Sequence, residues 1–479
     1  MVLLRVSGSR REVGARRAPT VLPSWKLSAR ASVRSRIGRA FPRARERIPY
    51  TADFMRGLLW KIYEVAMGVA LLIAAPFFLA RKGGHYRQTL RGRLGLEAGT
   101  TPREPRLWLH AVSVGEVGVA ATLARALPPA TPFVVTTVTP TGQAQALKAF
   151  ATRASVAYLP FDLGISIERF FRRYDPRALV LVEGDLWPLV LSKARSRGLP
   201  IAVVNGRVGD RGYQRLRRVK RLAPRLAAWL YGSVDRFAVQ SPIDRDRLLE
   251  FGVPSERIEV TGNLKFDAPE PTRPEIAPEI DRLAAGRPLL LAGSTMNGEE
   301  AEVVEAFLDA GGGSRALLGL APRHPERWNE VANLLADRQI SYSRRSQLPS
   351  SVDSRVDVVL LDSLGELAGL YAQARGAFIG GTLAPTGGHN PLEPAVFGVP
   401  VVVGPSMHNF VEIAERFDRA AAWARAADRR ELAAVFTCWL DDPAEAQALG
   451  ARGRALIEEN RGAVARTVAL LAPWVAAVR

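Results

Sequence analysis

Short apolar runs alternate with longer amphipathic or polar stretches from residue 106 to the C-terminus. Six runs lie before residue 241, namely RLWLHAV, PFVVTTV, SVAYLP, ALVLVE, IAVVN and RFAVQ. Five more lie after residue 286, namely RPLLLAGS, ALLGLAP, VDVVLLD, GAFIGG and VPVVVGP. Runs of this length that are rich in Val, Leu and Ile are typical of strands buried on both faces of a parallel sheet, and the stretches between them predict helices.

One proline-rich stretch divides the two series of strands. Residues 268–279 read APEPTRPEIAPE, which indicates a linker. The pattern therefore predicts an α/β protein with the GT-B fold, in which two Rossmann-like, doubly wound domains face a cleft that binds ligands. We assign the domains to residues 101–267 and 286–455, the linker to 268–285 and a C-terminal helix to 456–479.

The most apolar stretch of the chain precedes both series. Residues 57–80 read GLLWKIYEVAMGVALLIAAPFFLA and are flanked by basic residues, so residues 55–100 predict a membrane-anchor helix and a basic connector. A bilayer core needs about 20 apolar residues, and Lys61 and Glu64 interrupt the first turns, so a half-inserted anchor and a full span both remain open. A buried core helix is the alternative, which the basic flanks disfavour.

Net charge and cysteine content restrict the possible partners. The chain carries a net charge of +19, of which residues 1–54 contribute +10, from 13 Lys/Arg against 3 Asp/Glu. That stretch lacks an apolar period, so we expect a disordered extension or a transit peptide. The preferred interpretation is a translation start assigned too far upstream, with the true start at Met55. Cys438 is the only cysteine, which excludes an internal disulfide framework and a cysteine-rich metal site.

Acidic residues follow two of the predicted strands of the first domain. Glu116 stands at a strand-to-helix turn, where it can accept a proton from a hydroxyl or can simply favour a helix N-terminus. Glu183 and Asp185 follow another strand, and the segment TTVTPTGQ at 136–143 offers hydroxyls and backbone amides. Three acids would then line one side of the cleft.

Glycine-rich turns follow the strands of the second domain. The segments GSTMNGEE at 293–300, APRHPER at 321–327 and GGTLAPTGGHNPLEPAVFGVP at 380–400 are expected to offer backbone N–H groups to phosphate oxygens. Arg323 would add a charged contact to the phosphate, and Glu393 would accept hydrogen bonds from ribose hydroxyls. Neither a Walker loop nor a dinucleotide fingerprint is present in the sequence.

Eight motifs in order carry a family resemblance: HAVSVGE, TTVTPTG, YLPFDL, VEGDLWP, VTGNLKFD, APRHPER, LLDSLGEL and GGHNPLEPA. From about Met55 to the C-terminus the sequence resembles the bacterial Kdo transferases, which attach 3-deoxy-D-manno-octulosonic acid (Kdo) from CMP-Kdo to lipid A precursor. The sequence departs from the usual family pattern at Asp185, at Met296 and Asn297, and in VGDRGYQR at 208–215.

The resemblance implies roles for individual residues. It makes Glu116 the proton acceptor and assigns transition-state stabilisation to Glu183 and Lys265. It implies an inverting glycosyltransferase that acts in lipopolysaccharide biosynthesis at the cytoplasmic face of the inner membrane, attached through residues 57–80, without cofactor or metal. The CMP contacts it implies are Pro322, Arg323, Leu364, Gly365, Glu366, Asn390, Pro391, Leu392 and Glu393.

A basic stretch in the first domain predicts an acceptor surface. Residues 211–225 carry seven basic residues and no acid. Leu216, Val219, Leu222, Leu226 and Leu230 recur at helical spacing, so one apolar stripe is expected to pack on the sheet. Pro224 is expected to break the helix. We interpret the basic face as a phosphate and lipid-headgroup contact rather than a merely solvated surface, and its residues are Arg215, Arg218, Arg221 and Arg225.

Three other functions compete with this assignment. One is a UDP-sugar-dependent GT-B enzyme such as a lipid A disaccharide synthase or an epimerase, and another is an inactive membrane-attached nucleotide-binding relative. The presence of Glu116, Glu183 and Lys265 argues against the inactive relative. Nucleic-acid binding is disfavoured because the basic residues concentrate in the extension and one helix, without a stacking motif.

Overall fold

The computed structural model describes residues 58–96, 104–150, 152–348 and 355–478. The predicted extension at 1–54 lies outside the described residues. The predicted anchor and connector at 55–100 are described only from residue 58 to residue 96.

Seven parallel strands form the first sheet, in the order β3-β2-β1-β4-β5-β6-β7. Its strands are β1 (Arg106–His110), β2 (Phe133–Thr137), β3 (Ser155–Tyr158), β4 (Pro176–Val182), β5 (Ile201–Gly206), β6 (Arg236–Val239) and β7 (Ile258–Val260). The helices that precede or connect them are α1 (Leu58–Arg93), α2 (Val114–Ala126), α3 (Pro140–Phe150), α4 (Gly164–Tyr174), α5 (Pro188–Ser196), α6 (Asp210–Leu222), α7 (Pro224–Gly232) and α8 (Pro242–Glu250).

Seven parallel strands also form the second sheet, in the order β10-β11-β9-β8-β12-β13-β14. Its strands are β8 (Leu289–Thr295), β9 (Leu317–Pro322), β10 (Tyr342–Arg344), β11 (Val358–Leu360), β12 (Ala374–Ile379), β13 (Val401–Val403) and β14 (Ala424–Arg425). The remaining helices are α9 (Ala277–Ala284), α10 (Glu299–Asp309), α11 (Gly312–Arg315), α12 (Trp328–Asp337), α13 (Leu367–Leu370), α14 (Leu392–Ala395), α15 (Val411–Arg419), α16 (Arg429–Asp441), α17 (Pro443–Asn460) and α18 (Ala463–Ala477).

Each sheet is apolar on both faces, which explains the continuous apolar runs. In β1, Leu107 and Leu109 pack into one core cluster and Trp108 into another on the opposite face, and all three are fully buried. Parallel strands covered by helices on both sides need apolar side chains at successive positions. The predicted α/β class with two parallel sheets is thereby confirmed.

Strand order reverses between β1 and β4 in the first sheet and between β8 and β12 in the second. In open α/β sheets the ligand crevice lies outside the carboxyl ends of the strands at such a reversal. Glu116 follows β1 and Glu183 follows β4, so both acids lie at the reversal point of the first sheet.

Two predicted boundaries differ from the structure. The second half of the predicted linker forms α9, because Pro278 is tolerated in a first turn while Ile280 and Leu283 bury in the core. The boundary predicted at residues 455/456 falls inside α17, and the last helix is α18. This helix packs Ala463, Leu471 and Val475 into a core cluster of the first sheet.

The 3₁₀ turn Leu264–Asp267 connects the two cores. Leu264 packs into a core cluster of the first sheet, and Phe266, two residues on, packs into a core cluster of the second. Asp267 accepts hydrogen bonds from the backbone N–H groups of Gly462 (2.7 Å) and Val464 (2.6 Å) at the start of α18. This turn, which we call the crossover turn, is therefore fixed to both halves of the molecule.

Helix α1 is docked on the first domain by polar contacts. The Tyr63 hydroxyl donates to Oδ2 of buried Asp162 (2.7 Å), and Oε1 of Glu64 accepts from the N–H of Gly164 (3.0 Å) at the start of α4. On the same helix Val65 and Leu72 are 65% and 75% exposed. Within the described residues, no helix combines the length and the apolarity required for crossing a membrane.

Candidate active site

Glu116 lies in the first turn of α2, just beyond the carboxyl end of β1. Its Oε2 accepts a hydrogen bond from the N–H of Val112 (2.9 Å), and its Oε1 accepts one from Oγ of Ser113 (3.1 Å). Burial raises the pKa of Glu116 to about 7, against the opposing effect of the Val112 bond, and the neighbouring Glu183 adds to the rise. A carboxylate with such a pKa can exchange a proton near neutral pH.

Glu183 forms an ion pair with Lys265. The Lys265 ammonium lies 2.9 Å from Glu183 Oε1, and Nδ2 of Asn205 donates to the same oxygen (3.3 Å). Glu183 adopts a left-handed backbone conformation with φ 61°, followed by Gly184 with φ 111°. The β4 end therefore turns sharply, and the crossover turn supplies the cation from a segment 82 residues further along the chain.

Glu116, Glu183 and Asp185 line one open pocket of about 500 Å³. The expected convergence of three acids is therefore present in the structure. Burial raises the pKa of Asp185, against the effect of a hydrogen bond from Trp187 Nε1. Arg207 also lines this pocket, and its side chain makes no hydrogen bond or ion pair within the described residues.

The threonine-rich segment after β2 is mostly engaged in internal hydrogen bonds. The Thr136 hydroxyl accepts from Trp108 Nε1 (2.8 Å), and the Thr137 hydroxyl donates to Gln143 (2.5 Å). The Thr139 hydroxyl accepts from the N–H of Gly142 (3.0 Å). The expectation that these hydroxyls serve a ligand is wrong for these three, because each stabilises the strand end or the start of α3.

In the second domain, Arg323 lies near the segment 389–393. Pro322 ends β9 and is buried, whereas Arg323 is exposed, and its charge acts on both His389 and Glu393. Burial, with the charge of Arg323, lowers the pKa of His389 to about 4, so this imidazole is neutral at pH 7.

Asn390 organises the turn that leads into α14. Its Oδ1 accepts from the N–H of Leu392 (3.2 Å), and its Nδ2 donates to Glu393 Oε1 (3.3 Å). Pro391 precedes the helix, and burial raises the pKa of Glu393. Asn390 thus fixes the orientation of Glu393 near Arg323.

The motif at 364–366 combines an exposed apolar side chain with a paired acid. Leu364 is 63% exposed, and Gly365 has φ +93°. Glu366 accepts a bidentate pair from Arg345, at 2.8 Å from Nε and 2.7 Å from Nη2, which holds its pKa below the usual range. The carboxylate of Glu366 is therefore already paired with Arg345 of the same domain.

Glu299 is a site residue that the sequence did not reveal. Its buried carboxylate accepts hydrogen bonds from the N–H groups of Met296, Gly381, Thr382, Leu383 and Ala384, at 2.6 to 3.0 Å. The expectation that the N–H groups at 381–384 receive a phosphate is therefore wrong, because an internal carboxylate occupies them. The sequence signal was only an acid in a first turn.

The basic surface predicted on α6 is exposed. Arg215, Arg218 and Arg221 lie on α6 and Arg225 on α7, with the break at Pro224 as predicted. Leu222 was expected to pack inward but is 78% exposed, because α6 ends there. Within the described residues, no cluster of three or more His, Cys, Asp or Glu side chains could hold a metal ion.

Known proteins resemble this chain both in its first domain and over most of its length. The family model for 3-deoxy-D-manno-octulosonic-acid transferase (kdotransferase) matches residues 88–268. A 3-deoxy-D-manno-octulosonic acid transferase of Haemophilus influenzae is 33% identical and covers 87% of this chain and 99% of its own. The protein of the same name from Bordetella pertussis is 35% identical, over 80% of this chain and 90% of its own.

One solved structure supports the fold. A Listeria monocytogenes protein described as a UDP-N-acetylglucosamine 2-epimerase superposes with a TM-score of 0.51 and covers 77% of this chain and 96% of its own. At 15% sequence identity this likeness shows the two-sheet, GT-B-like arrangement alone.

Proposed function

This chain belongs to the family of Kdo transferases, and from that membership we propose that it transfers Kdo from CMP-Kdo to a lipid A precursor, with Glu116 as the general base. It is a glycosyltransferase of lipopolysaccharide biosynthesis. The observation that carries the proposed mechanism is the pocket in which Glu116 faces the Glu183–Lys265 pair.

The proposed reaction is a single inverting displacement. A sugar hydroxyl of the acceptor loses its proton to Glu116 as its oxygen bonds to the anomeric carbon of Kdo. The bond from that carbon to the CMP phosphate oxygen breaks, and CMP leaves with the electron pair from the opposite face. CMP is a good leaving group, so the step needs little help from a general acid.

The charges around the pocket suit such a transition state. Lys265 neutralises Glu183, which leaves the pocket less negative than its three acids suggest. Arg207 adds a half-buried cation without an internal partner among the described residues. On this proposal both cations stabilise the negative charge that the carboxylate of Kdo and the departing phosphate bring to the pocket.

The proposed donor site lies in the second domain. Leu364 presents an apolar surface that a cytosine ring can cover, and Arg323 presents a cation to the phosphate. Glu393, oriented by Asn390, is left to accept hydrogen bonds from ribose hydroxyls. Pro322, Gly365, Pro391 and Leu392 would shape this site through their backbone.

The proposed acceptor site faces a membrane surface. The exposed apolar side chains of α1, such as Val65, Leu72 and Ile73, would insert among lipid acyl chains near the headgroups. The arginines of α6 would contact anionic headgroups and the phosphates of the acceptor. On this proposal the protein is attached to the cytoplasmic face of the inner membrane and uses neither cofactor nor metal.

The decisive test is transfer from CMP-Kdo, generated in situ, to a lipid A precursor, measured for the parent protein and a Glu116→Gln variant. The amide keeps the size of the side chain but cannot take up the proton. We expect kcat to fall about 10²-fold or more, the usual contribution of a general base. Arg245→Gln, a change at an exposed residue of α8, serves as the control and should leave kcat unchanged.

Two outcomes contradict the proposal in different ways. A Glu116→Gln variant with the kcat of the parent would remove Glu116 as the base while leaving the reaction intact. A parent protein that is inactive with CMP-Kdo but active with a UDP-sugar would overturn the donor assignment.

A further inference from the structure

Lys265 lies on the crossover turn, the segment fixed to both domains. Leu264 before it is buried in the core of the first sheet, and Phe266 after it is buried in the core of the second. The Lys265 ammonium meets Glu183 on the first domain at 2.9 Å and lies 5.9 Å from the ring centroid of Phe410 on the second. A shift of one domain against the other therefore acts directly on the backbone that carries this ammonium.

Asn263 connects this turn to the second domain. Asn263 is 4% exposed, and its Oδ1 accepts from the backbone N–H of Lys265 (3.0 Å). Its Nδ2 donates to Glu412 Oε2 (2.6 Å) and to Gln240 Oε1 (3.2 Å). Both N–H donors of this amide group are thus used, and one of these bonds crosses to α15.

Glu412 is held in place on its own helix. Its Oε1 accepts from Nε of Arg416 (2.8 Å), one turn further along α15, and the guanidinium carbon of Arg416 lies 5.8 Å from the ring centroid of Phe266. The Glu412 side chain is 19% exposed, so its hydrogen bond to Asn263 is largely shielded from water. Arg416 therefore orients the Glu412 carboxylate, which accepts the hydrogen bond from Asn263.

We propose that Glu412 is a positioning residue for the transfer reaction: from the second domain it orients Asn263, which holds Lys265 in contact with Glu183. The ion pair beside the general base is then aligned only when α15 stands in this relation to the first domain. This inference rests on the proposed function, because it takes Lys265 and Glu183 to stabilise the transition state. Glu412 itself touches neither substrate.

The first test compares Glu412→Ala with Glu412→Gln in the full chain. The alanine removes the acceptor, and we expect kcat to fall about tenfold or more, since small misplacements of catalytic groups cost up to 10²-fold. The KM for CMP-Kdo should stay unchanged, because the proposed donor contacts are untouched. The glutamine keeps an oxygen that can accept from Asn263 and should retain most of kcat.

A matched control lies on the same helix. Glu415 is an exposed acid of α15 that lies 4.0 Å from Arg419, and Glu415→Ala should leave both kcat and KM unchanged. If Glu412→Ala retains the kcat of the parent, or raises the KM for CMP-Kdo instead of lowering kcat, Glu412 does not position Lys265.

Exchanging the two partners tests the bond itself. Asn263→Asp replaces the donor facing Glu412 by an oxygen, so two acceptors oppose each other and kcat should fall. Adding Glu412→Gln restores one donor and one acceptor with reversed polarity, and the double variant should recover part of that loss. A double variant no better than Asn263→Asp would overturn the proposal, even if Glu412→Ala fails to fold.

The parent protein separates this inference from the proposed function. A parent without transfer from CMP-Kdo contradicts the proposed function, whatever the variants do. An active parent whose kcat survives Glu412→Ala contradicts only the positioning role.

Discussion

At the scale of single residues, the candidate site holds two glutamates in opposite electrostatic situations within one pocket. Glu183 has a lysine at 2.9 Å, whereas Glu116 has hydrogen bonds from Val112 and Ser113 but no ion pair within the described residues, and burial raises its pKa to about 7. Burial without an ion-pair partner favours the protonated form of a carboxyl and keeps it able to exchange a proton near neutral pH. Glu116 is therefore the carboxylate suited to exchange a proton with the acceptor.

The raised pKa of Glu116 also predicts a pH-dependent effect on stability. The folded pKa, about 7, exceeds the ordinary value of 4.5, so ionising this carboxyl is harder in the folded state. Its contribution to the free energy of unfolding is thus lost as pH rises from about 4.5 to 7. We expect Glu116→Gln to raise Tm by several degrees at pH 8 and by little at pH 5.

Thermal melts at the two pH values, with Arg245→Gln as the control, measure this effect. The control should shift Tm equally at both pH values. If Glu116→Gln changes Tm by the same amount at pH 5 and at pH 8, Glu116 ionises in the folded protein with its ordinary pKa.

Local sequence predicted the position of Glu116 after β1 but not the contacts of Glu299, for one physical reason. Glu116 takes its hydrogen bonds from residues three and four positions away, so its setting is local. Glu299 takes four of its hydrogen bonds from N–H groups more than 80 residues away, which only the folded second sheet brings close. An acid in a first turn is common, so its sequence carried no sign of this contact.

At the scale of elements, α6 presents three of its arginines to solvent, whereas Arg217 lies 3.7 Å from Glu250. Arg215, Arg218 and Arg221 make no ion pair within the described residues, and all three are exposed. A row of unpaired cations on one helix attracts anionic lipid, at about 1 kcal/mol per Lys or Arg near the surface. Its contribution should therefore be measurable as binding to vesicles.

Reversing the charge of this helix should weaken membrane binding. We expect the triple variant R215E/R218E/R221E to lose cosedimentation with vesicles rich in anionic phospholipid and to retain its Tm. The control triple R430E/R452E/R454E makes the same change in net charge at exposed positions on α16 and α17. Equal loss in both triples would mean that net charge alone, and not α6, governs the attachment.

Burial decides which strands the sequence could predict. The eleven predicted runs all contain strands, because most lie inside a sheet and need apolar side chains on both faces. The three strands that were missed, β7, β10 and β14, each lie at a sheet edge. They are two or three residues long and carry Glu259, Ser343 and Arg425, so no apolar run marks them.

At the scale of the whole molecule, the chain connects its two domains twice, through the crossover turn and through α18. Helix α18 follows the second domain in sequence yet supplies Ala463, Leu471 and Val475 to the core of the first. The sequence predicted a C-terminal helix but not its packing against the first sheet, because an apolar helix face does not specify which sheet it covers. Asp267 of the crossover turn links these two connections, because it accepts hydrogen bonds from N–H groups at the start of α18.

This arrangement predicts that the end of the chain stabilises the first domain. Leu471 is fully buried in the core cluster that contains Leu107 and Val180, so Leu471→Ala leaves a cavity against the first sheet. Such a change costs about 2–5 kcal/mol and should lower Tm by several degrees. Ala472→Ser, at the exposed neighbouring position, is the matched control and should leave Tm unchanged. Amide hydrogen exchange of the Leu471→Ala variant shows which domain is destabilised. Faster exchange in β1 and β4 is expected if α18 belongs to the core of the first sheet. Faster exchange confined to β12 and β13 would assign α18 to the core of the second sheet.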